Sequence, residues 1–210
     1  MTGDRPFVIR QMMQEDVPGA VALQKLAFPP PFSEDLHWDP EHLLHHVAVF
    51  PTGQWIAESE GQIVGSCSNA IISEARWQAH GSWGATVGGP YIHNHDSKGS
   101  TLYGLDITVH PEFRRIGIGR AFYAARFDLI RTQGLTRYGT GCRIPDFRQL
   151  AQTKPGLTPE AYVSKVQHGE FADRTLTPLL RYGLKLIGVV DNYMEDEESG
   201  NAGALLEWTR

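Results

Sequence analysis

The stretch "TLYGLDITVHPEFRRIGIGRAFYAAR", residues 101–126, constrains the fold of this chain more than any other. "TLYGLDITV" is apolar and rich in β-branched residues, and it reads as a strand. Ile118, Phe122, Ala125 and Leu129 then recur at helical spacing. Between the two, Pro111 ends the strand, and Gly117 and Gly119 follow Arg114 and Arg115. Strand, tight turn and helix in this order leave several backbone N–H groups open at a helix N-terminus, where the helix dipole favours an anion. Five arginines against two acids lie between Glu112 and Arg131, although the whole chain carries a formal charge of −5. Positive charge is thus concentrated where the amides are open. The acidic remainder argues against broad nucleic-acid binding, which needs a basic face.

Two familiar phosphate turns do not fit. The dinucleotide fingerprint needs a third glycine where Phe122 stands, and it belongs on the first strand of its unit. The P-loop needs a Gly-Lys-Ser/Thr ending. What remains is Arg-x-x-Gly-x-Gly, a pattern that a tight turn with solvated arginines satisfies equally well.

The rest of the chain supplies context. A strand is expected in "RPFVIRQ", and a helix from about Val17 to Ala27, stopped by "FPPPF" because proline cannot continue it. "DPEHLLHHVAVF" reads as a second helix with proline in its first turn, its histidines His42, His45 and His46 on a solvated face. "GQWIAES" and "QIVGSCSNAII" form a hairpin through "EGQ". Residues 77–99 read as a loop or irregular hairpin in which "YIHNHD" is extended. "RYGTGCRI" is a strand. "RTLTPLLRYG" is a helix stopped by Gly183, followed by strands "LKLIGVV" and "GALLEWT". The fold class is an α/β (α+β) sandwich, a single domain over 1–210, with an insert at about 145–173 carrying its own helix from Thr158 and Pro159. Cys67 and Cys142 give neither zinc spacing nor a disulfide framework. No signal core or transmembrane run is visible, so a cytoplasmic, reduced protein without membrane or nucleic-acid partners is expected.

The order of these elements around the Arg-x-x-Gly-x-Gly turn resembles the GNAT superfamily of acyl-CoA-dependent N-acyltransferases, over nearly the whole chain from about Phe7 to Trp208. The resemblance implies a mixed, mostly antiparallel central sheet of about seven strands with helices on both faces. It also implies acetyl-CoA or coenzyme A as co-substrate, with no metal. Its pantetheine arm would run along Ile107 and Val109, and its pyrophosphate would lie on Arg114, Arg115, Ile116, Gly117, Ile118, Gly119 and Arg120. A narrower likeness, through "GCRIP", "TPEAYVSKV" and "MEDEESGNAGALLEW", is to the acyltransferase half of proteins fused to a nitrilase-type carbon–nitrogen hydrolase. With the chain ending at Arg210, any such hydrolase is expected as a separate partner.

Acyl transfer to an amine needs a base, a donor for the carbonyl and an acid for the thiolate. Many relatives carry that acid as a tyrosine at the position of Leu179, so Tyr162, Tyr193 or water would replace it here. Asp106, a carboxylate inside an apolar strand, is the first candidate base; a buried structural acid is the alternative. His95, beside His93 and Asp96, is the second, as a proton relay, and His93 would line the acceptor site. The insert is expected as a lid over the acceptor, with Arg143 and Tyr162 binding a small-molecule amine; a homodimer contact is the alternative. A CoA-binding sensor or scaffold without catalysis is the second functional reading.

Overall fold

The computed structural model describes residues 6–30 and 32–209; Arg5, where the first strand is expected to begin, and Pro31 of the proline stop lie outside the described residues. Seven strands form one sheet: β1 (Val8–Gln11), β2 (Trp55–Ser59), β3 (Gln62–Ile72), β4 (Thr101–Val109), β5 (Arg137–Arg143), β6 (Lys185–Val190) and β7 (Gly203–Thr209). Their order is β1-β2-β3-β4-β5-β7-β6. Only β4 and β5 run parallel. The β2–β3 hairpin turns at Glu60 and Gly61, both at positive φ (52° and 78°), as a two-residue turn matched to strand twist requires.

Helices cover both faces, because alternate residues of each strand are apolar toward opposite sides. On one face lie α1 (Val17–Ala27), α2 (Pro40–Val49), α3 (Glu74–Gln78) and α4 (Trp83–Val87). Val17, Ala20 and Leu43 pack there with Ile56 and Leu105, and Trp77 and Val87 pack with Tyr103 and Leu205. The other face holds α5 (Ile118–Gln133), whose Ile118 and Phe122 cover Ala57, Val64 and Cys67. The insert contributes α6 (Phe147–Thr153) and α7 (Pro159–Gln167), followed by α8 (Leu176–Arg181). Tyr162, Val163, Val166 and Leu176 join Tyr123 and Ile130 over Leu102 and Leu206 in the largest cluster of the core.

Three expectations are corrected. Residues 77–99 are not a hairpin: Ser73 and Ser82 accept from the amides of Arg76 and Ala85 and cap the short helices α3 and α4. "YIHNHD" is not extended but forms successive turns, with His95 N donating to Ile92 O, after Gly88 and Gly89 at positive φ. His46 is not on a solvated face. It is 0% exposed, its Nε2 lies 2.7 Å from Pro90 O, and burial pushes its pKa down to about 4.

Candidate active site

β4 and β5 pair at Thr101 with Arg137, Leu102 with Tyr138 and Tyr103 with Gly139, and then part. From there β5 continues to Arg143 against β7, and β4 continues to Val109 against β3. Their facing edges are left open toward the ends of both strands. Two local features accompany the opening. Asp106 opposes Ser68 while Gly104 opposes Asn69, so Leu105 is an extra residue, a bulge that bends β4. A Cβ on Gly104 would stand 2.0 Å from the Tyr138 hydroxyl, so glycine is needed for Tyr138 to lie across the gap.

The opening is filled by a cavity of about 1720 Å³ that reaches from Arg115 and Gly119 at one end to Arg143 and Glu195 at the other. A site for one small ligand occupies roughly 300–1,000 Å³, so this cavity has room for two substrates.

At the first end, Gly117 occupies the cap of α5 with φ 103°, where a side chain would be strained. Ala121 N bonds back to Gly117 O, which leaves the amides of Ile118, Gly119 and Arg120 at the open end of the helix. Arg115 and Arg120 are exposed on the cavity rim. Arg114 is partly committed elsewhere: its Nη2 donates to Ala27 O at 2.9 Å and its Nε to Val109 O at 3.3 Å, tying the turn to the end of α1. Ile107, Val109 and Ile118 line the cavity, whereas Ile116 packs into the core beneath α5. The Tyr182 hydroxyl hangs over the turn, 3.4 Å from where a Gly119 Cβ would stand.

Midway along the cavity, Asp106 lies on the wall with Trp38. Its Oδ2 accepts from Thr108 Oγ1 at 3.1 Å, while its Oδ1 is sealed without a hydrogen-bond partner. Trp38 Nε1 is likewise unpartnered, although the indole stands close enough to steady the charged carboxylate. Burial raises the Asp106 pKa, and Arg126, Thr108, Trp38 and Ser68 lower it to a lesser extent. Arg126 rises from α5 into the same wall.

At the far end, Arg143 donates from Nε and Nη2 to both carboxylate oxygens of Asp196 at 2.7 Å, and Nη2 also reaches Glu198 at 2.9 Å. Its guanidinium lies 4.8 Å above the Phe32 ring. Arg174 also bonds Glu198, so both arginines of this wall are paired with acids.

Of the sequence candidates, Asp106, Arg143 and the turn other than Ile116 line one cavity. His95, His93 and Tyr162 do not. His95 Nδ1 accepts from Ile71 N at 3.1 Å and fixes its loop to β3. His93 stands against Tyr91 and His45 on the outside of the molecule. Tyr162 donates to Asp173 Oδ2 at 2.8 Å in the core, and the insert reaches the cavity only at its start, through Pro145. Leu179 does line the cavity, as do Tyr182 and Tyr193. The Tyr193 hydroxyl lies 2.9 Å from that of Tyr103 and 3.2 Å from Gly141 O, with burial pushing its pKa well above the usual value. Among the described residues no cluster of three or more His, Cys, Asp or Glu is arranged to hold a metal. Arg126 was the residue the sequence reading missed. Its spacing of four residues from both Phe122 and Ile130 marks it as a charge inside an apolar stripe.

The family model of the acetyltransferase (GNAT) family matches residues 18–151. The uncharacterized N-acetyltransferase YkwB of Bacillus subtilis (strain 168) is 36% identical over 202 residues, 96% of this chain and 88% of that protein. The probable hydrolase YhcX of the same organism is 34% identical over 206 residues, 98% of this chain but 39% of that protein. Among solved structures, the GphF GNAT-like decarboxylase in complex with isobutyryl-CoA superposes with a TM-score of 0.77 at 23% identity, covering 96% of this chain and 98% of that one.

Proposed function

Because the chain belongs to the acetyltransferase (GNAT) family, we propose that it moves an acyl group from acetyl-CoA, or a related acyl-CoA, to the primary amine of a small molecule. The observation that carries this reading is the opening of β4 from β5 directly beside the open N-terminus of α5. In it, the pyrophosphate of CoA lies on the amides of Ile118, Gly119 and Arg120, with Arg115 and Arg120 adding charge-assisted bonds. The pantetheine arm lies along the free edge of β4 past Val109 and Ile107. That GphF, of the same fold, is described in complex with isobutyryl-CoA supports an acyl-CoA as the ligand.

The acceptor enters from the end lined by Arg143 and Glu195 and meets the thioester between the parted strands. Asp106 is the base: it takes the amine proton, directly or through one water, and the neutral amine attacks the carbonyl carbon. The departing thiolate takes its proton from Tyr193 or from water, because Leu179 offers none. Holding both substrates in one cavity supplies much of the rate by itself.

The test is release of free thiol from acetyl-CoA in the presence of a panel of primary amines. Both cysteines are buried, and burial pushes the Cys67 thiol up to about 11 and Cys142 well above its usual value, so the protein adds little background to a thiol reagent at pH 8. Amine-dependent release supports the transferase. CoA binding with no release from acetyl-CoA, nor from propionyl-, malonyl- or succinyl-CoA, with any amine would favour the second reading, a CoA-binding sensor, to which Leu179 on the cavity wall lends its weight.

A further inference from the structure

We propose that Arg126 recognises a carboxylate at the far end of the acyl chain, so that the acyl donor is a short dicarboxylic acyl-CoA. The inference rests on the CoA cleft described above and names the class of acyl group it takes.

Arg126 is 2% exposed, yet its side chain borders the cavity. Its guanidinium sits between the rings of Tyr123 and Tyr138, at 5.0 and 5.1 Å from their centroids. Nε donates to Asn69 Oδ1 at 2.7 Å, and Nη2 to the carbonyls of Ser68 at 3.3 Å and Asp106 at 3.0 Å. All three acceptors are neutral. A guanidinium has five N–H donors and stays charged; the two on Nη1 have no oxygen acceptor among the described residues, and the Cys67 thiol is the one further, weak side-chain partner of Arg126.

The Asp106 carboxyl attracts the charge, but among the described residues no ion pair with Arg126 forms. Burial pushes the Cys67 thiol and the Tyr123 and Tyr138 phenols up, so all three are neutral near pH 7. Asp106 offers Arg126 its backbone carbonyl, while its carboxylate bonds Thr108, and burial shifts that carboxyl toward its neutral form. A buried cation with no directly paired anion is costly unless something anionic meets it. The pyrophosphate is not that anion. Arg126 lies eight residues along α5 from Ile118, about 12 Å at 1.5 Å per residue, and the turn has Arg115 and Arg120 of its own. The anion that reaches Arg126 from within the cleft is therefore carried on the acyl group, and a planar carboxylate matches the remaining donors.

The experiment is calorimetric binding of free CoA and of two pairs matched in carbon count, propionyl-CoA with malonyl-CoA and butyryl-CoA with succinyl-CoA. In at least one pair the carboxylated member should bind about 10–100-fold tighter, the range of a charge-assisted hydrogen bond. Arg126→Met should abolish that ratio while leaving the affinity for free CoA unchanged, and Arg126→Lys should keep part of it. Equal or weaker binding of both carboxylated members to the unaltered protein overturns the proposal, whatever becomes of the variants. So does a ratio that survives in a folded Arg126→Met. Failure of free CoA to bind would instead overturn the cleft reading on which the proposal stands.

Discussion

Asp106 stands at a point where a carboxylate is poorly solvated and only partly paired, with Oδ1 sealed and Oδ2 held by Thr108. Burial raises its pKa, and a raised pKa brings a carboxyl toward the range where a base works at neutral pH. The sign of the linked stability follows. A carboxyl whose folded pKa lies above its unfolded value contributes stability at low pH, lost as pH rises through the folded value. Asp106→Asn should therefore leave the melting temperature at pH 7 equal or higher. In catalysis the same change should lower turnover by about 10²–10⁴-fold, remove the acidic limb of the pH–rate profile, and hardly alter CoA affinity. A variant that melts early and keeps its turnover would make Asp106 a structural acid. At this scale a charge inside an apolar pattern was the legible signal. Asp106 showed it within β4, and Arg126 showed it within the stripe of Phe122 and Ile130, but there it was counted with the exposed arginines of the turn. His95 and Tyr162 were misread because their partners, Ile71 N and Asp173, are set by tertiary packing that local spacing does not encode.

The turn at the head of α5 and the insert before α8 are elements whose sequence signals had different strengths. Proline, paired glycines and a helical apolar period delimit the turn locally, and the first residue of that period, Ile118, is also the first of α5. The insert's length and its cap at Thr158 were readable too, with Thr158 accepting from Ala161 N. Which way α7 faces was not, because that depends on the apolar surface it meets. Tyr162, Val163 and Val166 are buried in the core, so α7 is a support and not a cavity wall. Tyr162→Phe should cost about 1–3 kcal/mol, because buried Asp173 loses a donor. At 2–4 °C per kcal/mol for a chain of this size, that is roughly 2–12 °C in melting temperature, with unchanged Michaelis constants. Arg143→Met, by contrast, should raise the Michaelis constant of the amine more than that of acetyl-CoA; equal shifts in the two would detach Arg143 from acceptor binding. On the turn, Gly119→Val is the cleaner substitution. Only the Tyr182 hydroxyl, at 3.4 Å, borders the added Cβ, so the circular dichroism should be unchanged while calorimetry shows no CoA binding. Gly117→Val should also lose binding, and in addition strain the backbone by about 1–3 kcal/mol, since its φ is 103°. Full CoA binding by Gly119→Val would remove the pyrophosphate from this turn.

At the scale of the molecule, the sheet is continuous except where β4 leaves β5, and the cavity occupies that gap. The resemblance to the GNAT superfamily implied a central sheet with helices on both faces, which the structure shows, and the strand count followed from the number of strand-like runs. The register offset at Leu105 and the width of the opening were not legible, because both arise from pairing between segments far apart in the chain. One consequence concerns ligand and stability together. Clusters on both faces of the sheet border the cavity, through Leu105 and Trp38 on one side and Ile107 and Ile118 on the other. A ligand seated between the strands replaces missing backbone partners and binds the folded state alone. At a free concentration of 100 times its dissociation constant, CoA should add about 2.7 kcal/mol to the unfolding free energy. For a chain of 210 residues, this corresponds to a rise of roughly 5–11 °C in melting temperature. Raising ionic strength at fixed CoA should shrink the rise without abolishing it, since the charges of Arg115 and Arg120 are exposed and screened while hydrogen bonds to the α5 amides are not. A melting temperature indifferent to saturating CoA at low salt would show that the gap between β4 and β5 takes some other occupant.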